Sequence, residues 1–351
     1  MNLLLATYLH SLSPFAVRFS ENVGIRWYGL SYIAGFIAGW LLIRQLARRG
    51  KTPMKVEQVA DFVFAVAFGT VIGGRLGYCV FYQPALFTQF TSGFPFWGVL
   101  ALNDGGMASH GGLIGIVIAC VIYGRRHRDV PRGDIPGAGA GAGPIQLLDL
   151  CAWVSTVGIF FGRVANFVNG ELVGREAPAG LAWAVKFPQD MRDWSATQLG
   201  ELAAKLEPLG ITAATPDEMV KRAIDAVRDG NPQVIDIVQP MLTARHPSQL
   251  YEALMEGLML FVLLGIVWMK PRKPGVVGGW FLIGYAVVRI FGENFRMPDA
   301  IIANEEFARW GVTRGQLLSF VMLSAGVVYL MYFATRKVPK LGGWMTKQEK
   351  A

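Results

Sequence analysis

The chain has 351 residues, of which 53% are hydrophobic and only 17% charged, and its formal net charge is +8. An ordinary soluble domain carries about 25% charged residues, so the composition excludes a typical soluble protein and points to the membrane. The basic excess suits contact with anionic lipid headgroups but decides nothing alone, because cytoplasmic loops of membrane proteins are basic as a rule.

A transmembrane helix needs roughly 20 mostly apolar residues. Seven stretches qualify, near residues 24–46, 58–82, 106–123, 146–168, 248–269, 276–295 and 315–334. The opening MNLLLATYLHSLSP is apolar but lacks a basic n-region and a small-residue cleavage site, so it reads as an interfacial segment rather than a removable signal. Cys79, Cys120 and Cys151 all fall inside spans, which argues for apolar packing and against a disulfide framework or a metal site.

In chain order, the first span brings Arg26, Trp27 and Tyr28, and the second carries Arg75 within GGRLGY. The third opens as GGMASHGGLIG, which sets His110 about one turn inside the membrane with glycines on both sides. A loop over 124–145 follows, and its run GAGAGAGP lacks the lysine, serine or threonine of a nucleotide-binding loop, so it reads as a linker. The fourth span ends in GRVANFVNGELVGR, from Gly162 to Arg175, where Arg163, Asn166 and Gly170 share a face and glycines such as Gly174 permit close backbone approach.

Residues 171–247 form the one long connection, with helical stretches at 195–208 and 215–229, and are expected to be a small external domain. The fifth span begins at HPSQLYE, with His246, Gln249, Tyr251 and Glu252 at one level. The sixth carries Tyr285, Arg289, Glu293 and Arg296 at spacings of four, four and three, which on one helix makes a single stripe. Two arginines against one carboxylate leave a positive balance there, so a further anion is expected. Residues 248–335 complete the helical part, and 336–351 form a basic tail.

Short loops rich in Lys and Arg stay in the cytoplasm. They follow the first, third and fifth spans, and the tail adds a fourth cluster, which gives an odd number of spans with the N-terminus outside and the C-terminus inside. The fold expected is therefore an all-α integral membrane protein of seven helices, with residues 1–170 supplying the first four. In that orientation all six polar sets lie toward the outer leaflet.

Ionisable groups within spans mark function by default. Guanidinium forks beside an amide suit phosphate, and convergence on one level argues for a single cavity open to an anionic lipid. Blander readings exist for each part: an Arg–Glu–Arg ladder that only fixes packing, a core histidine, and tyrosines that merely pack. An anion transporter or flippase would also use buried arginines, but the inner halves of these spans lack a polar relay. Neither an HxxxxD acyltransferase motif nor the DGxxAR signature of CDP-alcohol transferases is present.

At these residues the chain resembles the prolipoprotein diacylglyceryl transferase family over nearly its whole length. WYGL, GGRLGY, GGMASHGG, GRxxNFxNGELxGR, HPSQLYE and GYxxxRxxxENFRxPD look like that family's motifs in its order. The resemblance implies transfer of the sn-1,2-diacylglyceryl group from phosphatidylglycerol to the lipobox cysteine of a preprolipoprotein, giving a thioether and glycerol 1-phosphate. It also implies the bacterial inner membrane, a periplasm-facing site and no metal or cofactor. A monomer without a nucleic-acid partner is expected.

The roles expected on that footing follow the chemistry. Arg163 and Arg289 would meet the phosphate, assisted by Asn166 and Arg296, while Glu171 and Glu293 orient the arginines. His110 would be the base for the substrate thiol. Tyr28, Tyr251, Tyr285 and Gly174 would complete the lipid site. The chain departs from the family pattern chiefly at about 188–240 and in the cytoplasmic loop.

Overall fold

The computed structural model describes residues 7–20, 23–52, 54–93, 95–102, 105–127, 143–297 and 312–345. Residues 137–142 of the glycine–alanine run, Pro298 and Asp299 of the last motif, and the tail beyond residue 345 lie outside the described residues.

The described chain is mostly helical. It begins with three short strands, β1 (Tyr8–Leu9), β2 (Phe15–Arg18) and β3 (Gly24–Arg26), and then α1 (Trp27–Arg48), α2 (Gln58–Phe81), α3 (Ser109–Arg126) and α4 (Pro144–Asn169). Between α4 and the later long helices come β4 (Val185–Lys186), α5 (Ala196–Leu206), α6 (Pro216–Arg228), α7 (Pro232–Met241) and β5 (Ala244–Arg245). The chain then forms α8 (Ser248–Val267), α9 (Val276–Gly292) and α10 (Arg314–Thr335). Among the described residues α1, α2, α4, α8 and α10 are long and apolar enough to cross a membrane. The 18-residue α3 ends in Arg125 and Arg126, and α9 has 17 residues.

The chain divides into two compact units: residues 1–34, 158–260 and 285–323, and residues 35–157, 261–284 and 324–351. In the first, β4 lies between a parallel β1 and an antiparallel β5, and β2 pairs with β3 as a hairpin. The insert helices start where their caps dictate. Ser195 and Gln198 form a capping box at α5, Thr215 caps α6 ahead of Pro216, and Asn231 caps α7 ahead of Pro232. Their apolar faces close on Leu202, Leu206, Ala223, Val227, Val234 and Val238, all fully buried. The two helical stretches read from sequence correspond to α5 and α6, whereas the short α7, with Pro240 inside it, goes beyond that reading.

In the second unit α2 and α3 pack backbone to backbone. A Cβ on Gly77 would stand 2.7 Å from the Gly111 Cα, and one on Gly73 would stand 2.9 Å from the Gly115 Cα, so only bare glycines allow this contact. Asp149 accepts hydrogen bonds of 2.7 Å from the backbone N–H groups of Gly275 and Gly278 and so caps the start of α9. Cys79 and Cys120 are fully buried, and the Cys120 and Cys151 Sγ atoms are 3.7 Å apart.

Candidate functional site

The first unit gathers the charged residues of α4, α8 and α9. Gly257 sets the approach of α8 to α4, because a Cβ there would lie 2.8 Å from the Phe160 Cα and 3.0 Å from its nitrogen. Over Ala253–Met259 the helix widens to π-helical geometry, a feature often found at functional sites. One turn along α4 from Phe160, Arg163 then meets the α8 carboxylates.

Glu256 Oε2 accepts from Arg163 Nε at 3.0 Å and Nη2 at 2.8 Å, and from the Tyr285 hydroxyl at 3.3 Å. Glu252 Oε2 lies 2.9 Å from Arg163 Nη1, and its Oε1 accepts from Arg289 Nη1 at 2.7 Å and Arg296 Nη1 at 3.5 Å. Arg289 Nη2 donates to Glu293 at 2.5 Å, and the Thr313 hydroxyl donates to the other Glu293 oxygen at 3.0 Å. Both α8 carboxylates have side chains 1% exposed, against 15% for Arg163 and 16% for Arg289.

Three expectations change here. The positive balance does not hold: Arg163, Arg289 and Arg296 face Glu252, Glu256 and Glu293, three charges of each sign. Glu256 had escaped the sequence reading, although its position four residues after Glu252 on an apolar helix was the available signal. The stripe on the sixth span is also not one helix, since α9 ends at Gly292. The chain leaves the helix because 295–297 pairs with 173–175: Arg175 N–H donates to Phe295 O at 2.8 Å and Met297 N–H to Val173 O at 3.2 Å. Arg296 nevertheless reaches Glu252 from that turn.

Glu171, third, holds no arginine among the described bonds. Its carboxylate accepts from Asn169 at 3.2 Å, and the Asn166 amide, turned to satisfy both ends, donates to Glu171 at 3.1 Å and to Gly162 O at 3.2 Å. Tyr28, near the start of α1, stacks edge-on with Tyr32 and lies within electrostatic reach of Glu171 and Arg163. Gly174 serves backbone packing, since a Cβ there would stand 2.8 Å from Phe295 O and 2.9 Å from the His246 Cβ. The Tyr251 hydroxyl accepts from Trp183 Nε1 at 2.6 Å and sits 3.3 Å from His246 Nδ1. Outside the membrane helices Asp190 pairs with Arg245, yet burial lifts its carboxyl above the usual range against that pull.

The second unit holds the other two polar sets. Arg75 is spent on structure: its guanidinium donates to Val99 O at 2.8 Å, Gly98 O at 2.7 Å, Gly105 O at 2.5 Å and Gly106 O at 3.1 Å. It ties down the loop after α2. His110 is exposed at the second position of α3, with its ring against Phe81 at 5.6 Å and Tyr82 at 5.9 Å. Its neighbour Gly111 serves the α2–α3 contact. Among the described residues no group of His, Cys, Asp and Glu is gathered to hold a metal ion.

Residues 14–332 match the family model described as prolipoprotein diacylglyceryl transferase. The chain is similar to the phosphatidylglycerol–prolipoprotein diacylglyceryl transferase of Bdellovibrio bacteriovorus, with 44% identity across 96% of this chain and 97% of the relative. It is likewise similar to those of Rhodospirillum rubrum, at 38% identity over 91% and 89%, and Rhodospirillum centenum, at 37% over 92% and 91%. A match of this extent, over a chain whose helices carry the motifs of one buried arginine–glutamate site, means that the chain belongs to the prolipoprotein diacylglyceryl transferase family.

Proposed function

We propose that this protein transfers the sn-1,2-diacylglyceryl group of phosphatidylglycerol to the lipobox cysteine of a preprolipoprotein, in the inner membrane and as a monomer. The observation that carries the reading is the meeting of Arg163 and Arg289 over the carboxylates of one helix, in a family whose named members act on these substrates. The topology that goes with it has seven spans, an outside N-terminus, an inside C-terminus, a periplasmic insert and a site facing the periplasm.

The cysteine sulfur attacks the glycerol carbon that carries the phosphoester oxygen. The C–S bond forms as that C–O bond breaks, glycerol 1-phosphate leaves, and the thiol proton passes to a base, for which His110 is our candidate. The phosphodiester enters with one negative charge and departs as a monoester that can carry two. Because the arginines are already engaged by Glu252 and Glu256, an incoming phosphate must compete for their N–H groups. It competes best as the second charge develops, so the network favours the transition state over the bound lipid. Asn166, Arg296, Tyr285 and Glu293 complete this machinery; Tyr28, Glu171 and Tyr251 line the lipid, with Gly174 shaping the wall.

The test is to incubate the purified protein with phosphatidylglycerol and a lipobox peptide and to follow glycerol phosphate release and peptide mass. Product that disappears with Arg163→Ala, and with serine in place of the peptide cysteine, supports the reading. An absence of product with either lipid enantiomer and several peptides would sink it and favour an anion carrier.

A further inference from the structure

The β2–β3 hairpin carries two unlike faces. In its register Val17 pairs with Ile25 and Arg18 with Gly24, and Phe19 N–H donates to Val23 O at 2.9 Å. Cross-strand partners share a face, so Val17, Phe19, Val23 and Ile25 lie together on one side, where they are 47%, 69%, 59% and 44% exposed. An irregularity between Phe15 and Val17 turns Phe15 to the other side. There the guanidinium carbons of Arg18 and Arg26 stand 5.7 and 4.8 Å from its ring centre. Arg18 also lies close enough to Arg228 for like charges to interact, and Arg192 joins them.

The hairpin leads without a break into α1. Trp27, the first residue of that membrane-length helix, donates its N–H to Pro14 O at 3.0 Å and closes the base of the hairpin. A two-stranded element of about ten residues is therefore tethered at the boundary of the hydrocarbon. An apolar face of four residues exposed to water at that level would be unfavourable, whereas a lipid surface satisfies both faces at once.

We propose that this hairpin is an interface element: Val17, Phe19, Val23 and Ile25 seat in the acyl boundary of an anionic phospholipid leaflet, and Arg18 and Arg26 meet the phosphates from the opposite face. The inference rests on α1 lying in the membrane and not on the transferase reaction. The partner is the phospholipid itself, because the hairpin pairs an exposed apolar face with a second face that carries Arg18 and Arg26, as interfacial amphipathic elements do.

The test uses Phe19→Cys and, as a control on α5, Lys205→Cys, each carrying a bimane label in full-length protein. The protein is reconstituted in vesicles of equal parts phosphatidylcholine and phosphatidylglycerol. The native cysteines are buried and leave the label to the new sites. Bimane at 19 is expected to be quenched by brominated acyl chains and spared by iodide, with the reverse at 205. With Arg18→Gln and Arg26→Gln, the fraction of brominated phosphatidylglycerol needed for half-quenching should rise, by about fivefold per arginine. Iodide quenching at 19 equal to that at 205 would overturn the proposal, as would protection from both quenchers, which would mean that protein covers the face. Equal quenching by brominated phosphatidylcholine in both arginine backgrounds would overturn its anionic part. Because no readout is turnover, an inactive enzyme and a misplaced hairpin give different results.

Discussion

Glu256 is the residue whose replacement tests the site most directly. It bridges Arg163, Arg289 and Tyr285 from a side chain 1% exposed, so Glu256→Gln keeps the shape while removing one of three negative charges. Breaking a buried pair by removing one partner typically costs 3–5 kcal/mol. Here Glu252 still meets Arg163 and Arg289, and Glu293 still holds Arg289, so the lower end applies. The expected loss is about 3 kcal/mol, or roughly 150-fold in the unfolding equilibrium. Unfolding in mixed micelles titrated with a denaturing detergent measures it. In a cycle with Arg163→Met the double variant should lose at least about 1 kcal/mol less than the sum of the single losses, because the orphaned charge is gone. A Glu256→Gln protein within about 0.5 kcal/mol of its parent, or strictly additive losses, would refute the network as described.

Three further outcomes follow from particular contacts. Gly257→Leu places a Cβ 2.8 Å from the Phe160 Cα, so it should separate α8 from α4, destabilise by about 1–3 kcal/mol and lower turnover together with Glu256–Arg163 pairing; a thermal shift assay with turnover measurements reports both. Arg75→Lys should behave like Arg75→Met, since a single ammonium cannot span four carbonyls on residues 98 to 106; limited proteolysis after α2 is the readout, and full protection in the lysine variant would count against the assignment. His10 is buried, its Nε2 lies 2.7 Å from Phe167 O, and burial lowers its pKa from 6.5 to about 4. The unfolded chain therefore binds the proton first, so stability should be intact above about pH 6.5 and decline as pH falls toward about 4. Denaturant scans at both ends should show the loss, and His10→Phe should flatten it.

Much of this molecule is written locally. A span announces itself by some twenty apolar residues, because lipid cannot hydrogen-bond a bare backbone, and an arginine inside such a span announces a site because burying it alone is so unfavourable. Serine, threonine and asparagine ahead of α5, α6 and α7 mark helix starts by the same local logic. Long-range pairing decided the rest. Arg75 and Arg163 are equally anomalous in sequence, yet one spends its donors on a loop and the other on glutamates. The glycines beside His110 suggested access, while the fold uses the same absence of side chains to bring α3 against α2. The charge balance depended on Glu256, which enters only because Gly257 lets α8 approach Phe160 of α4, 97 residues earlier in the chain. Composition and spacing determine which groups are buried in the membrane; which charges neutralise one another is set by helix packing, since the energy of a buried charge depends on the few ångströms to its partner.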